Sequence, residues 1–246
     1  MEPIRAKDVQ AFLGELPSRQ ASRFLNESDP ARVISLLHFS KWISTVGPVE
    51  RVAVISGSEN EPELLFLPTA SVQYFNFDDS QLWDLNDDWG DGRLARASRS
   101  FDLVLCEQVL EHVLDPIQAV KNAALLLAPG GHLHLSVPGV NGTHGGPHYF
   151  YGGFHPRALS AFCEKAGLTS VKAGGWGSKK SVQMYSTCDW APLAVSAFID
   201  LVRENPRPTR GFRAGVRHWF RYGRRSFFPS KPYRHFTISW ATARSL

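Results

Sequence analysis

An α/β fold with a mostly parallel sheet is what this 246-residue sequence predicts. Three observations lead there. Short apolar, β-branched runs recur along the chain. Helical stretches alternate with them. The runs are apolar nearly throughout rather than at every second position, as in strands covered by helices on both faces. A hydrophobic content of 43% is ordinary for a packed core and excludes a wholly disordered chain.

Residues 1–47 read as helical. Val33, Leu36, Leu37, Ser40 and Ile43 keep roughly a helical period, and Gly47-Pro48 stops the run. This segment is expected to cover the active site, with one main domain over 48–246. RVAVI (51–55) is β-branched and ends at Ser56-Gly57. SVQYFNF (71–77) ends at Asp78-Asp79. LWDLN (82–86) reads as a short strand, and FDLVLC (101–106) as a buried one. Asp115-Pro116 pairs an N-cap with a first-turn proline and opens a helix to about Leu127, stopped by Ala128-Pro129-Gly130-Gly131. HLHLSVP (132–138) alternates into the next strand. His155-Pro156 opens a helix that stops at Gly167, and strands follow near 169–176 and 234–242. In such sheets ligands bind beyond the carboxyl ends of the strands, at the switch point, so the residues just after each strand carry the function.

Three widely spaced cysteines, Cys106, Cys163 and Cys188, form neither a disulfide framework nor a zinc pattern and point to a reducing compartment. No run of about 18 apolar residues is present. The first ten residues are too polar for a signal peptide, so a cytoplasmic protein is expected. The net charge of +4 conceals an asymmetry: residues 1–202 hold 16 Lys/Arg against 22 Asp/Glu, net −6, and residues 203–246 hold 11 against one, net +10. A basic tail on an acidic body suggests an anionic partner.

Residues 101–139, FDLVLCEQVLEHVLDPIQAVKNAALLLAPGGHLHLSVPG, carry several motifs. These are Asp102 in the strand, Leu110-Glu111-His112-Val113, Asp115-Pro116, and Pro129-Gly130-Gly131 before the next strand. HYFYGGFHPRALSAFCEKAGL (148–168) and Gly174-Gly175-Trp176-Gly177 continue the pattern. In this ensemble the chain resembles class I S-adenosylmethionine-dependent methyltransferases of the small-molecule type, over roughly 50–180 and the last strand. The resemblance implies a Rossmann-like sheet of seven strands, helices on both faces and the last strand antiparallel. It also implies S-adenosylmethionine as cofactor.

The first loop departs from the family. Where the family has Asp-x-Gly-x-Gly-x-Gly, this chain has Val54-Ile55-Ser56-Gly57-Ser58-Glu59-Asn60. One glycine, Gly57, survives, and Ser56, Ser58 and Asn60 are small enough to allow close backbone approach, while Glu59 could replace the missing acid at the methionine amino group. After the second strand the family carries an acid for the ribose hydroxyls. Asn76 aligns there, with Asp78 and Asp79 following; the competing reading is a simple turn. Asp84-Leu85 matches the place where an acid meets adenine. Glu107, after Cys106, lies where the family's cofactor passes.

Methyl transfer is an in-line displacement on an already activated cofactor, so the protein positions the acceptor and removes its proton. A base working near neutrality favours histidine. His112 lies on the first turn after the 101–106 strand. His144 and His148 lie in NGTHGGPHYFYGGFH, whose five glycines and interleaved aromatics suit a mobile lid, with Tyr149 and Tyr151 as acceptor contacts. His132 and His134 alternate on a strand and read as structural. Some related methyltransferases hold a divalent ion with Glu-x-x-Glu-His. Here Gln108 stands at the first position, where hard cations prefer a carboxylate, so no metal is expected.

Arg213, Arg217, Arg221 and Arg224 recur at near-helical spacing beside Phe212, Val216, Trp219 and Phe220. They suggest a basic helical insertion at about 190–230, and peripheral membrane contact through 207–234. No RNA-binding module is visible. The expected activity is methyl transfer to a small or carrier-linked metabolite, at oxygen, with an anionic acceptor suiting the basic tail. The worn first loop motivates the alternative of a non-catalytic methyltransferase-like scaffold. A dinucleotide oxidoreductase is disfavoured because the loop lacks G-x-G-x-x-G.

Overall fold

A computed structural model describes residues 6–16, 30–77, 83–91, 99–140, 147–177, 179–187 and 238–246. Two N-terminal helices, α1 (Ala6–Glu15) and α2 (Pro30–Ile43), precede β1 (Arg51–Ile55) and β2 (Ser71–Phe75). Then come β3 (Phe101–Glu107), α3 (Pro116–Leu126), β4 (Leu127–Pro138), α4 (Pro156–Lys165), β5 (Thr169–Trp176), α5 (Lys179–Thr187) and β6 (Ile238–Arg244). The described strands form one six-stranded sheet in the order β2-β1-β3-β4-β6-β5. β1 to β4 run parallel, and β6 is antiparallel to both neighbours. The Rossmann-like sheet with its antiparallel last strand is therefore present.

Among the described residues the strand count is six rather than seven, and 83–88 turns instead of extending. The short LWDLN run suggested a strand, but Asn and Asp chemistry and a buried tryptophan prevail. Asp84 Oδ1 accepts the backbone N–H of Asn86 at 2.9 Å, an Asx turn. Trp89 is fully buried, and its indole N–H donates to the Asp84 carbonyl at 2.7 Å. Asn122 of α3 donates to the carbonyls of Leu85 and Asp87 and accepts from the Trp89 N–H. The strand at 71–77 stops at Phe75, and the last strand, described from Ile238, runs on to Arg244 rather than ending at 242.

Both helical faces are present. α3 and α4 send Ala119, Val120, Ala123, Leu126 and Leu159 onto Ala53, Val104, Leu133 and Leu135 of the sheet. On the other face Phe39 and Ile43 of α2 cover Val52, Val54, Leu103 and Leu105. α1 packs outside α2 through Val9, Phe12 and Leu13. The start of α3 follows local chemistry: the Asp115 side chain accepts from the N–H groups of Ile117 and Gln118, and Pro116 occupies the first turn. His155 caps α4 in the same way, through Nδ1 and the Arg157 N–H at 3.1 Å. Among the described residues no helix is long and apolar enough to cross a membrane. The basic 190–230 insertion and the 207–234 segment lie outside the described residues, as do Asp78, Asp79 and His144.

Candidate functional site

Strand order places the switch point between β1 and β3, where Ile55 pairs with Cys106. A ligand crevice in such a sheet opens beyond these carboxyl ends. Ser56 leaves β1 with φ 52°, in the left-handed region, and its N–H donates to the Phe75 carbonyl. Gly57 follows. A Cβ there would lie 2.5 Å from Val54 Cγ1 and 3.0 Å from Glu61 Oε1, so only glycine fits. The Asn76 side chain accepts the Gly57 N–H and donates to the Gly57 carbonyl, both at 3.0 Å. It therefore stitches the end of β2 to the first loop. Ser58 accepts the Asn60 N–H, and Glu59 is exposed.

Beneath this loop lies an ion network that crosses three elements. Arg32 of α2 donates to Glu63 at 2.5 and 2.7 Å, to Glu61 at 3.3 Å and to Glu107 at 3.3 Å. Glu107, the last residue of β3, also accepts from His134 Nδ1 at 2.6 Å and from the Ser136 hydroxyl. The Glu63 and Glu107 side chains are 0% and 3% exposed. Burial opposes the Arg32 charge, but Glu63, Glu107 and Glu61 outweigh it and raise its pKa. Burial likewise opposes the Glu107 charge, and His134, Arg32 and Ser136 overcome it and hold the pKa low. Glu61 moves upward, chiefly through burial. Glu107 is thus present at the site, but its side chain faces the network.

His38 stacks on Trp240 at 4.3 Å behind the network. Burial, with His134 nearby, lowers its pKa from 6.5 to about 3. It is neutral in the fold, while the unfolded chain takes a proton below about 6.5, so stability falls as pH drops from 6.5 towards 3. The slope is at most about 1.4 kcal/mol per pH unit. His38→Phe is expected to flatten this acid limb in urea denaturation between pH 6.5 and 3.

A second knot forms after β3. His112 Nδ1 contacts the His148 carbonyl at 2.9 Å. The Glu111 carbonyl accepts from the N–H groups of Phe150 and Tyr151. The Tyr151 hydroxyl donates to the Leu114 carbonyl at 2.8 Å, and Tyr149 lies 5.8 Å from the His112 ring. Residues 147–154 are thereby fastened over the end of β3. The exposed His148 ring lies 6.2 Å from that of Phe77, which brings the loop to the end of β2. Asn86 bridges to the Asp84 turn by accepting from the Leu114 and Asp115 N–H groups.

The sequence-predicted residues therefore fall into adjoining groups. Ser56, Gly57, Ser58, Glu59 and Asn76 sit at the first loop, His112, His148, Tyr149 and Tyr151 in the second knot, and Asp84 in the turn between. Leu85 is buried in the core below. His134 is structural in the sense expected, yet it also braces Glu107. Arg32, Glu61 and Glu63 were missed, and Glu111 was weighed only within the Glu-x-x-Glu-His metal pattern. A single arginine in the apolar run Ala31–Leu37 was the available signal for Arg32, since a charge there needs buried partners. Among the described residues no group of three or more His, Cys, Asp or Glu could hold a metal ion.

Residues 36–173 match the family model described as a methyltransferase domain, which is more than half of the chain. The chain belongs to the methyltransferase family. Two curated relatives are ubiquinone biosynthesis O-methyltransferases. That of Ralstonia nicotianae is 34% identical over 97 residues, covering 33% of this chain and 41% of the relative. That of Coxiella burnetii is 32% identical over 102 residues, covering 33% and 42%. This methyltransferase thus spans about two-fifths of the length of the curated relatives it matches. A solved S-adenosylmethionine-dependent methyltransferase of Archaeoglobus fulgidus is similar with a TM-score of 0.48 and 13% identity, over 93% of this chain and 99% of that one.

The cofactor of the class is S-adenosylmethionine, and the donor set fits it. Its methionyl end carries a sulfonium and an ammonium. Among the described residues at the switch point Glu59 is exposed and Glu61 is partly exposed, so carboxylates are at hand for that end, while Glu63 and Glu107 are held in the Arg32 network. Gly57, where a Cβ would meet Val54 and Glu61, keeps the first loop tight against β1 at the edge of the crevice.

Proposed function

We propose that this protein is an S-adenosylmethionine-dependent methyltransferase that methylates an oxygen of a small or carrier-linked metabolite. The observation that carries this reading is the convergence of His112, His148, Tyr149 and Tyr151 at the carboxyl end of β3, beside the acid-rich switch point. The two O-methyltransferase relatives support oxygen as the atom. The bound cofactor supplies an activated methyl group on a cationic sulfur. Everything else falls to the chain.

Glu59 and Glu61 face the cationic end. Ser56, Gly57 and Ser58 give it a loop of small residues to lie against, Asn76 holds that loop in shape, and Asp84 takes hydroxyl or amino hydrogens of the nucleoside. Asn76 spends its amide on Gly57, so it acts here by positioning the loop. A carboxylate such as Asp84 can accept two charge-strengthened hydrogen bonds. Tyr149 and Tyr151 line the acceptor side. His112 takes the acceptor's proton: a carbonyl only accepts, so its Nδ1 carries hydrogen towards the His148 carbonyl and Nε2 is the basic nitrogen. His148 anchors that ring through its backbone, and its exposed imidazole is available to the acceptor as a second candidate base.

The test is transfer of labelled methyl to a panel of phenols and alcohols. His112→Ala is expected to lower turnover by about 10²–10⁴, the usual worth of a general base. His148→Ala leaves the backbone carbonyl in place and should cost less. The reverse order would move the base to His148, and full activity in both variants would leave positioning alone to carry the reaction. The alternative scaffold reading draws on one observation, that the N–H and C=O of Gly57 are both bonded to Asn76. Failure of the wild-type protein to bind cofactor would favour it.

A further inference from the structure

Glu111 stands out among the buried groups that this mechanism leaves unused. Its side chain is 1% exposed, and neither carboxyl oxygen has a hydrogen-bond partner among the described residues. Buried carboxyls without partners are costly and rare, and they gather where chemistry needs them. Its place is set by its own backbone, whose carbonyl is held by the N–H groups of Phe150 and Tyr151. The side chain is thereby fixed beneath the loop that carries His148 and Tyr149. Oε1 lies 3.9 Å from His112 Nε2, the basic nitrogen of the tautomer that the His148 carbonyl selects.

We propose that Glu111 is a positioning residue for His112, whose carboxylate supplies the counter-charge when the His112 imidazole takes the acceptor's proton. The proposal rests on the reading of His112 as the proton acceptor. In the step, the acceptor O–H bond breaks as its oxygen forms the new bond to the methyl carbon. The carbon–sulfur bond breaks with its electron pair kept on sulfur. The proton moves to Nε2, and the resulting imidazolium faces Glu111 in a water-poor setting where opposite charges attract strongly. After release of product the proton leaves to solvent.

The groups facing Glu111 fit this duty. Glu107 and Cys106 approach from β3, Tyr149 from the loop and His112 from its own turn. Burial, and then the Glu107 charge, push the Glu111 pKa up to about 7. The carboxyl is therefore poised to change charge near neutrality, and the cation it would stabilise forms beside it.

The experiment uses the full chain with histidine labelled for NMR, the His112 signals being assigned by their loss in His112→Gln. Ring titrations are recorded for the wild type, Glu111→Gln and Glu111→Asp, and turnover is measured against pH with the phenol panel. In Glu111→Gln the His112 titration midpoint should move about one unit lower, the scale of losing a nearby opposite charge. The acid limb of the rate profile should move with it, and plateau turnover should fall about tenfold or more. Glu111→Asp, which keeps the charge, should restore part of both. Coincident midpoints and coincident pH profiles in the wild type and Glu111→Gln, with methyl transfer still observed, overturn the proposal and leave the functional reading intact. A midpoint that moves while no protein transfers methyl upholds the charge coupling and overturns the functional reading.

Discussion

Arg32→Ala is expected to lower folding stability by about 3–5 kcal/mol, the cost of removing one partner from a buried ionic network. The loss is large because of what stays behind. Glu63 is 0% exposed and its carboxylate has Arg32 on both oxygens, so truncation strands a charge out of water. Glu107 retains His134 and Ser136 and suffers less. Arg32→Met with Glu63→Gln should therefore recover much of the loss, since the stranded charge is gone. Urea denaturation of the two variants checks this. A loss below about 1 kcal/mol in Arg32→Ala, the range of exposed ion pairs, would mean the network is open to solvent.

The second large effect concerns Glu111 and pH. Its pKa rises from 4.5 to about 7 in the fold. An acid whose folded pKa is raised holds its proton more tightly in the native state. The stability it contributes is fully present below 4.5 and is lost as pH climbs through about 7. The span corresponds to about 3 kcal/mol. Glu111→Gln cannot titrate, so the stability difference between wild type and variant should change by that amount between pH 4.5 and 8 and level off above. Taking the difference cancels His38, whose contribution runs the other way, and it cancels the fixed cost of burying an amide. A difference curve that stays flat would show that Glu111 is solvated in the native protein. Read together with the proposed role, the effect describes a residue that costs stability at the pH where it serves catalysis.

What was legible in the sequence was whatever local chemistry decides. Asp115-Pro116 and His155-Pro156 announce helix starts because a cap and a proline act within one turn. RVAVI and FDLVLC read as buried strands because both of their faces are apolar. The LWDLN stretch misled because its fate rests on Asn122 and Trp89, tertiary partners that override the preference of a short apolar run. Arg32 was illegible as a site residue for a similar reason. Its partners lie 29, 31 and 75 residues away, and no window of the sequence shows them converging. Asn76 was rightly placed at the end of β2, but its bonds to Gly57 depend on a loop geometry that only the fold reveals. His112 and His148 were read as rival bases. In the structure they belong to one knot, the backbone of one anchoring the ring of the other.

The crevice between β1 and β3 is expected to bind S-adenosylmethionine, and calorimetric titration of the full chain with S-adenosylhomocysteine measures this. Micromolar binding is expected, weakened by about 1–3 kcal/mol in Asp84→Ala, the scale for losing hydrogen bonds to a charged group. Absence of binding at millimolar ligand, in a protein shown to be folded, would contradict it.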